Sequence, residues 1–323
     1  ADYDGTPKAA NVVGSVPGTA SNLTYNTIGA SPTNAGTYAV NADFLPQDTD
    51  NYNSLTGAPA GNFVIQKAGT PTLSVSNTPL IFNGSPQAAV VVGSVAGTPA
   101  NVLYNGSPTV PVDAGSYVIT ADYTPDDLIN YDTVTGAAAG TMVIDQAPTA
   151  ATVTCAAGPF TYNAAAIEPC TASVSGPGGL SLALAVVYAG NIDAGTASAS
   201  ATYAGDANYL PSSNSATFTI NMADPTLAVT NSPAAYDGTP KTANVVGSVP
   251  GTVSNIRYNG SANPPVDAGT YAITADFVPD DGANYNSLSG ANAGNFVVQK
   301  AGVPVLTVSN LPAVFTGEAQ TVV

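Results

Sequence analysis

The sequence lacks histidine and tryptophan entirely, and it contains very little charge. Charged residues make up 8% of the 323 residues, whereas soluble proteins average about 25%. Histidine is the commonest catalytic base and metal ligand near neutral pH, so its absence removes most familiar catalytic sets. Glutamate occurs only at Glu168 and Glu318, and neither a Ser-His-Asp set nor a phosphate-binding loop is present. We therefore predict that the chain is not an enzyme and needs no cofactor.

Basic residues are also scarce. Five Lys and Arg stand against 21 Asp and Glu, which gives a net charge of -16. Nucleic-acid binding and docking on anionic lipid both need clustered positive charge, so neither is expected. No signal peptide and no transmembrane run is visible, so we expect no membrane insertion by these residues. Because the chain opens inside one repeat and stops inside another, we expect it to be part of a longer protein.

One phrase recurs along the chain. "VDAGTYAITADF" near the end is matched by "TNAGTYAVNADF", "VDAGSYVITADY" and "IDAGTASASATY". An aromatic turn such as "YDGTPK" precedes the phrase, an Asn-Tyr pair follows it, and an apolar run such as "NFVIQKA" closes each unit. Coincident markers at one period indicate internal repeats. The predicted modules are residues 1–68 (lacking a first strand), 69–147, 148–223 (divergent) and 224–301, followed by the start of a fifth at 302–323.

The pattern inside a module predicts β-strands. "GSYVITADY" alternates, with Tyr117, Ile119, Ala121 and Tyr123 on one face, and "ANVLYNG" ends in the Asn-Gly pair that is typical of tight turns. No segment shows a helical period. We predict an all-β fold, a tandem array of small immunoglobulin-like β-sandwich modules with about six or seven strands each.

The Asp-Ala-Gly-Thr-Tyr phrase is interpreted as a structural turn. Glycine permits a left-handed or closely approached backbone, the preceding Asp or Asn can bond the turn amides, and the following Tyr can return its hydroxyl to the loop, as in a tyrosine corner. Module three has Ala197 at the Tyr position. The predicted turn residues are Gly36, Tyr38, Gly115, Tyr117, Gly195, Gly269 and Tyr271.

These motifs carry a family resemblance that covers essentially the whole chain. "YDGTPKAANV", "DAGTY", "ANY" and "FVIQKA" resemble MBG-type and bacterial immunoglobulin-like repeats of large secreted bacterial surface proteins, and "ATYAGDANYLPSSNSATFTI" of module three looks especially like the second type. The resemblance implies extracellular stalks, adhesins and filaments. It supplies no catalytic residue.

Two further sets of residues could carry chemistry. Cys155 and Cys170 align with Val75 and Val90, core-type positions on the first two strands, so we predict a disulfide in an oxidising compartment; two free thiols are the alternative. Acidic loops precede the Asn-Tyr pairs and could bind calcium through carboxylate oxygens, with solvated Asx turns as the alternative. The calcium candidates are Asp48, Asp50, Asp126, Asp127, Asp280 and Asp281.

For function, the repeats favour a structural protein of the cell surface. The leading hypothesis is an extracellular filament or fibre that self-associates, with copies of itself or adjoining repeats of a longer chain as partners. The alternative is an adhesin stalk whose modules are spacers for a binding tip elsewhere. Residues 302–323, with "PVLTVSN", could donate a strand to a neighbour's first module, but the sequence favours one continuous chain over donation because "FTGEAQTVV" repeats the turn at Tyr3.

Overall fold

The computed structural model of the chain describes residues 1–307 and Gly317. It is almost entirely β-structure, and the one helical element among the described residues is the short 3-10 turn Pro177–Gly179. The prediction of an all-β tandem array of small β-sandwich modules is confirmed. Residues 308–316 and 318–323, which make up most of the predicted fifth module and of the residues proposed to donate a strand, lie outside the described residues.

The chain divides into two compact units. The first comprises Ala1–Ala151, Ser173–Leu184 and Thr202–Ser213. The second comprises Thr152–Ala172, Ala185–Ala201 and the described residues from Asn214 onward. The boundary passes through module three, so several strands of that module have residues in both units.

Module one has a single sheet of three antiparallel strands in the order β1-β2-β3. Tyr25, Val40, Ala42 and Ile65 form its buried side. Its strands are β1 (Gly18–Tyr25), β2 (Gly36–Pro46) and β3 (Leu55–Ile65).

Module two is a complete two-layer sandwich. Four strands in the order β5-β9-β8-β7 form one sheet, and β4 and β6 form the other. The predicted alternation in "GSYVITADY" is present, because Ile119, Ala121 and Tyr123 are buried while Val118 is exposed. The strands are β4 (Leu73–Val75), β5 (Leu80–Ile81), β6 (Val91–Gly93), β7 (Gly97–Tyr104), β8 (Gly115–Pro125) and β9 (Val134–Asp145).

Module three has the sheets β10-β12-β13 and β11-β16-β15-β14. Its apolar cluster in the second unit contains Ala197, Ala199, Phe218 and Ile220. The strands are β10 (Ala150–Cys155), β11 (Phe160–Thr161), β12 (Cys170–Gly176), β13 (Leu180–Leu184), β14 (Val187–Ala189), β15 (Gly195–Tyr203) and β16 (Ser212–Asn221).

Module four repeats the arrangement of module two, with the sheets β18-β22-β21-β20 and β17-β19. Phe277 and Phe296 are fully buried, and each such side chain contributes about 1.5–3 kcal/mol by leaving water. The strands are β17 (Leu227–Val229), β18 (Ala234–Ala235), β19 (Val245–Gly247), β20 (Gly251–Tyr258), β21 (Gly269–Pro279) and β22 (Leu288–Gln299).

Candidate functional site: the joint between successive modules

The Asn-Tyr pair of each module contacts the preceding module. Asn130 is 3% exposed and Asn284 is 7% exposed, and they are the two buried polar residues of the described chain. A buried amide must satisfy its hydrogen-bonding groups, since an unsatisfied one costs about 1–3 kcal/mol. Both side chains find partners on the turn that the sequence analysis interpreted as purely internal to its module.

The same hydrogen bond forms at all three joints. The side-chain oxygen of the Asn accepts from the backbone N–H of the alanine in the preceding module's Asp-Ala-Gly phrase. The distances are 2.7 Å from Ala35 to Asn130, 2.8 Å from Ala114 to Asn208 and 2.8 Å from Ala194 to Asn284. The phrase therefore presents a backbone donor to the next module.

The amide nitrogen of each Asn makes a second bond to the same turn. It donates to the side-chain oxygen of Asn34, Asp113 or Asp193, at 3.2, 3.0 and 3.3 Å respectively. We expected these Asp and Asn side chains to bond the backbone of their own turn. In the structure they instead accept a hydrogen bond from the asparagine of the next module. Two directional bonds on one side chain fix its orientation as well as its position.

The tyrosine of the pair contacts the aromatic turn of the preceding module edge-on. The ring centroids of Tyr131 and Tyr3, Tyr209 and Phe82, and Tyr285 and Tyr162 lie 5.7, 5.1 and 5.3 Å apart, at 85°, 82° and 86°. Edge-to-face pairs at such distances are worth about 0.5–1.5 kcal/mol beyond the area they bury. Both aromatic markers of the repeat thus meet at the joint.

The short linker is bonded to the same loop. The carbonyl of Asn130 accepts from the N–H of Ala68 at 2.9 Å, and the N–H of Asp132 donates to the carbonyl of Gly69 at 3.0 Å. Equivalent pairs tie Ala147 to Asn208 and Leu210, and Ala223 to Asn284 and Asn286. The linkers are therefore held by backbone hydrogen bonds rather than free to swing.

An acidic residue three positions earlier orients the buried asparagine. Asp127 accepts from the side-chain amide of Asn130 at 2.7 Å, and Asp281 accepts from that of Asn284 at 3.0 Å. The hydrogen bond from Asn130 lowers the pKa of Asp127 below its ordinary value, and the backbone N–H groups of Asn130 and Ile129 act in the same direction. The carboxylate thus stays ionised and acts as an acceptor at neutral pH.

No group of three or more Cys, Asp or Glu side chains that could hold a metal ion occurs among the described residues, and calcium binding at the candidate carboxylates stays a prediction. Asp48, like Asp127 and Asp281, accepts from an asparagine amide three residues on, here Asn51. That bond lowers the pKa of Asp48. Asp50, Asp126 and Asp280 are solvent-exposed. Asp48, Asp127 and Asp281 thus each accept from the backbone N–H three residues on, as in an Asx turn.

The tyrosines after the turn return their hydroxyls to the loop. Tyr38 donates to the carbonyl of Asn34 at 2.7 Å, and Tyr117 donates to that of Asp113 at 2.8 Å. Tyr271 makes the same bond to Asp267 at 2.8 Å. Each bond closes the loop that carries the alanine amide and the Asp or Asn oxygen of the joint, so the corner positions the half of the joint that the preceding module contributes.

The turn glycines differ from the expectation of a left-handed backbone. Among the four, only Gly195 has a positive φ, at 139°. Gly36, Gly115 and Gly269 begin strands β2, β8 and β21 in extended conformation, and a Cβ there would lie 3.3–3.5 Å from the hydroxyl oxygen of the tyrosine two residues on. A Cβ at these distances would be in or near ordinary van der Waals contact, so neither steric crowding nor a positive φ requires glycine at these three positions.

Cys155 and Cys170 form a disulfide with an S–S distance of 2.07 Å. The predicted alignment of Cys170 with Val90 was wrong by one residue. Its backbone N–H donates to the hydroxyl of Tyr188, as that of Ala89 does to Tyr104. The turn that follows the aromatic residue is one residue longer in module three than in module two. A shift of one residue moves a strand position to the opposite face of the sheet. Cys170 is accordingly buried, whereas Val90 is 50% exposed.

One structural residue in the repeated phrase was given no role by the sequence analysis. The aspartate of "ADF" or "ADY" bridges two irregular strands in modules one, two and four. Asp122 accepts from the side chain of Asn101 at 2.6 Å and from the N–H of Gly136 at 2.7 Å, and these bonds lower its pKa. Asp43 and Asp276 do the same. The constant position of this aspartate in the repeated phrase is the sequence signal that could have indicated its structural role.

The two halves of a further joint remain without a partner module in the described chain. In module one, Tyr52 is 49% exposed, and the side chain of Asn51 bonds the neighbouring Asp48. In module four, Tyr236 is 38% exposed, and Tyr271 closes the loop that contains Asp267. Within the described residues, these side chains therefore make local contacts only.

Comparison with known proteins identifies the repeat. The MBG domain matches residues 1–69, 71–148 and 225–302. The chain belongs to the MBG domain family. The matched MBG modules are those that contain the tyrosine corner, and the divergent module three lies between the matched ranges.

Other comparisons add less to the MBG assignment. No curated protein matches the chain. Among solved structures it is similar to the crystal structure of Drosophila N-cadherin EC1-4, with 11% identity, coverage of 87% of this chain and 90% of that chain, and a TM-score of 0.22. Within residues 1–307, no helix is long and apolar enough to span a membrane.

Proposed function

We propose that this MBG chain is an extracellular structural protein that builds a cell-surface filament or fibre by self-association. Its partners are copies of itself or adjoining repeats of a longer chain. The observation that carries the proposal is the joint, because the same two hydrogen bonds and the same aromatic contact recur at three successive junctions. Such a joint resists bending and twisting between neighbours, which is the property a load-bearing polymer needs.

The chemistry of the chain supports this assignment. The disulfide between Cys155 and Cys170 suits an oxidising compartment outside the cytoplasm. The net charge of -16 opposes binding to nucleic acid and to anionic lipid. The absence of histidine leaves the chain without the usual catalytic base, so a mechanical role fits better than a catalytic one.

An adhesin stalk is the second candidate. Modules one and four are nearly identical in sequence, as "YDGTPKAANVVGSVPGT" and "YDGTPKTANVVGSVPGT" illustrate. Interchangeable modules suit an inert spacer, in which no module is specialised to bind a ligand.

Electron microscopy and sedimentation over a range of protein concentrations test the two candidates. A filament protein forms fibres whose length increases with concentration and whose axial repeat reflects the modules. A stalk gives isolated particles of constant sedimentation coefficient at every concentration. Particles that remain single at the highest soluble concentration would contradict the filament and leave the stalk.

A further inference from the structure

Three Asn-Gly pairs occur in the chain, in nearly identical local sequences. They read "FNGSP" at Asn83, "YNGSP" at Asn105 and "YNGSA" at Asn259. Glycine has no Cβ, so its backbone nitrogen is the least hindered nucleophile that can follow an asparagine. Because the three local sequences are so similar, the fold decides any difference in reactivity among these asparagines.

The side-chain amide of an asparagine can react with the backbone of the next residue. The glycine nitrogen attacks Cγ, a C–N bond forms, and Nδ2 leaves as ammonia with the proton of the glycine N–H. The product is a cyclic imide. Water then cleaves the imide at Cγ to give aspartate, or at the main-chain carbonyl to give isoaspartate, whose backbone runs through Cβ and Cγ. The net reaction consumes water, releases ammonia and needs no oxidant or cofactor.

Asn105 and Asn259 are held across their hairpins. The side-chain oxygen of Asn105 accepts from the N–H of Val118 at 2.8 Å, and that of Asn259 accepts from the N–H of Ala272 at 2.8 Å. The backbone N–H of each asparagine also donates to the carbonyl of the same partner residue. The side-chain carbonyl is therefore fixed against the neighbouring strand, and its rotation toward the following glycine would break a hydrogen bond.

Asn83 is held against its own turn instead. Its side-chain oxygen accepts from the N–H of Ser85 at 2.9 Å, only two residues on. This bond closes a small ring that contains both Cγ of Asn83 and the backbone nitrogen of Gly84, so the two reacting atoms are kept close together. The N–H of Ser85 also stabilises the negative charge that develops on the side-chain oxygen during the attack. Asn83 and Gly84 are both solvent-exposed, so water reaches the imide.

The same turn packs tightly against module three. A Cβ on Gly84 would lie 2.6 Å from the Cα of Gly178 in the 3-10 turn of that module. The ring of Phe82, just before the Asn-Gly pair, contacts Tyr209 edge-on at 5.1 Å, and the hydroxyl of Tyr209 donates to the carbonyl of Pro177 at 2.6 Å. The backbones of the two turns therefore touch, and no room remains for an added carbon at Gly84.

The two products of the reaction affect this turn differently. Module four has Asp237 at the position of Asn83, and its carboxylate accepts from the N–H of Thr239 at 2.9 Å in the same kind of turn. An aspartate therefore preserves the turn. An isoaspartate inserts a methylene into the main chain immediately before Gly84, where the backbone already touches module three, so Gly84 must move.

We propose that Asn83 is a self-modification site whose substrate is its own amide, with Gly84 as the nucleophile and water as the co-reactant. The isoaspartyl product opens the joint between modules two and three, whereas the aspartyl product leaves it closed. The array thus acquires one weakened junction with age and without an enzyme. This inference goes beyond the proposed function, because it applies to a stalk as well as to a filament.

Mass spectrometry of the aged chain tests the modification. The full chain is incubated in mildly alkaline buffer, which promotes loss of the glycine proton, and is then digested with pepsin in acid, which slows further reaction. Chromatography separates the asparagine, aspartate and isoaspartate forms of each peptide. We expect Asn83 to react at least about tenfold faster than Asn105 and Asn259. Equal rates at the three sites, or slower reaction at Asn83, overturn the proposal.

Unfolding the chain provides a matched control. In concentrated urea the three Asn-Gly pairs lose their hydrogen bonds, and we expect their rates to converge because their local sequences are nearly the same. Convergence in urea assigns the difference in the native chain to the fold. A preference for Asn83 that persists in urea assigns it to the sequence and overturns the role of the turn.

Hydrogen exchange of the aged chain tests the effect on the joint. The N–H of Ala114 donates to Asn208 at 2.8 Å and exchanges when this joint opens. A peptide containing Ala114 should show two populations, of which the faster matches the isoaspartate content at Asn83. The peptide containing Ala35, whose N–H bonds Asn130 at the preceding joint, is the control and stays unchanged.

The variant Asn83→Asp separates the two products. It contains the aspartyl product from the start, so without incubation its Ala114 amide should exchange as slowly as in the fresh unmodified chain. Fast exchange in Asn83→Asp assigns the effect to the added charge and refutes the role of the inserted methylene. Isoaspartate that accumulates at Asn83 without faster exchange of Ala114 refutes the opening of the joint.

Discussion

Substituting the buried asparagine of a joint isolates the contribution of the contact between modules. Asn130→Ala removes the acceptor for the amide of Ala35 at 2.7 Å and the donor to Asn34 at 3.2 Å, together with the local donor to Asp127 at 2.7 Å. A hydrogen bond contributes about 0.5–1.5 kcal/mol net, and a half-buried amide left without a partner adds to the loss. We expect the joint to be weakened by about 2–3 kcal/mol while modules one and two keep their own cores.

Native-state hydrogen exchange measures this weakening directly. The amide of Ala35 exchanges when the joint opens, so a loss of about 2–3 kcal/mol accelerates its exchange by about 30- to 150-fold. Amides within strand β2 of the same module change much less. Peptides covering residues 30–38 and 39–46 report the two regions separately by mass spectrometry.

The chain provides a matched control in its first module. Asn51 occupies the same place in the repeat, but its side chain bonds only the local Asp48 among the described residues. Asn51→Ala in dilute protein should leave the exchange of Ala35 and the melting temperature unchanged. Equal effects of the two substitutions, or no acceleration in Asn130→Ala, would refute the reasoning that the Asn-Tyr pair serves the joint.

Three further predictions address the modules themselves. Hydrogen bonds lower the pKa of Asp122 in the folded state, so its contribution is present above about pH 4 and is lost as the pH falls through that lowered pKa; Asp122→Asn should flatten the decrease of melting temperature between pH 5 and 2. Replacing Cys155 and Cys170 by alanine should cost module three about 3 kcal/mol in urea unfolding, since the bridge spans a separation of 15 residues. Gly84→Ala should lower the melting temperature, costing more than about 1 kcal/mol, because its Cβ would lie 2.6 Å from the backbone of module three; Gly5→Ala, at the same turn with φ 83° and open space, is the control that loses only the conformational part.

The fold could be predicted because its signals are local. Alternation in "GSYVITADY" places Ile119 and Ala121 in the core and Val118 outside, and this requires only that successive strand residues face opposite sides. The Asn-Gly turn is equally local: Asn105 and Gly106 both have positive φ, at 47° and 82°. Because the modules repeat, the same strand and turn signals occur several times along the chain, and each occurrence supports the same prediction.

The position of Cys170 could not be predicted with the same accuracy. Counting from the aromatic turn at Tyr162 assumes that this turn has the same length in every module. Because module three differs in sequence from the other modules, its pattern does not reveal that the turn contains one added residue. The buried position follows instead from the hydroxyl of Tyr188, which bonds both the N–H and the carbonyl of Cys170. That contact joins strands 18 residues apart in sequence, so no short motif contains it.

The joint was missed for a related reason. Its two halves, Asp113-Ala114 and Asn208-Tyr209, were both recognised as markers of the repeat. They belong to different modules, however, and Ala114 and Asn208 are 94 residues apart in sequence. Each half also has a sufficient local explanation, since the first closes a tyrosine corner and the second ends an Asx turn. A sequence pattern cannot distinguish a residue that serves its own turn from one that also serves a neighbour's.

Module three separates the two roles of the repeated phrase. It has Ala197 in place of the corner tyrosine. Ala197 is fully buried in the apolar cluster that also contains Cys170. Yet Asp193 and Ala194 still bond Asn284 of module four, and Asn208 still bonds Ala114 of module two. A module can therefore change how its loop is braced while it keeps both faces of the joint. Because each junction needs only a compatible pair of faces, modules with different cores can occupy neighbouring positions in one array.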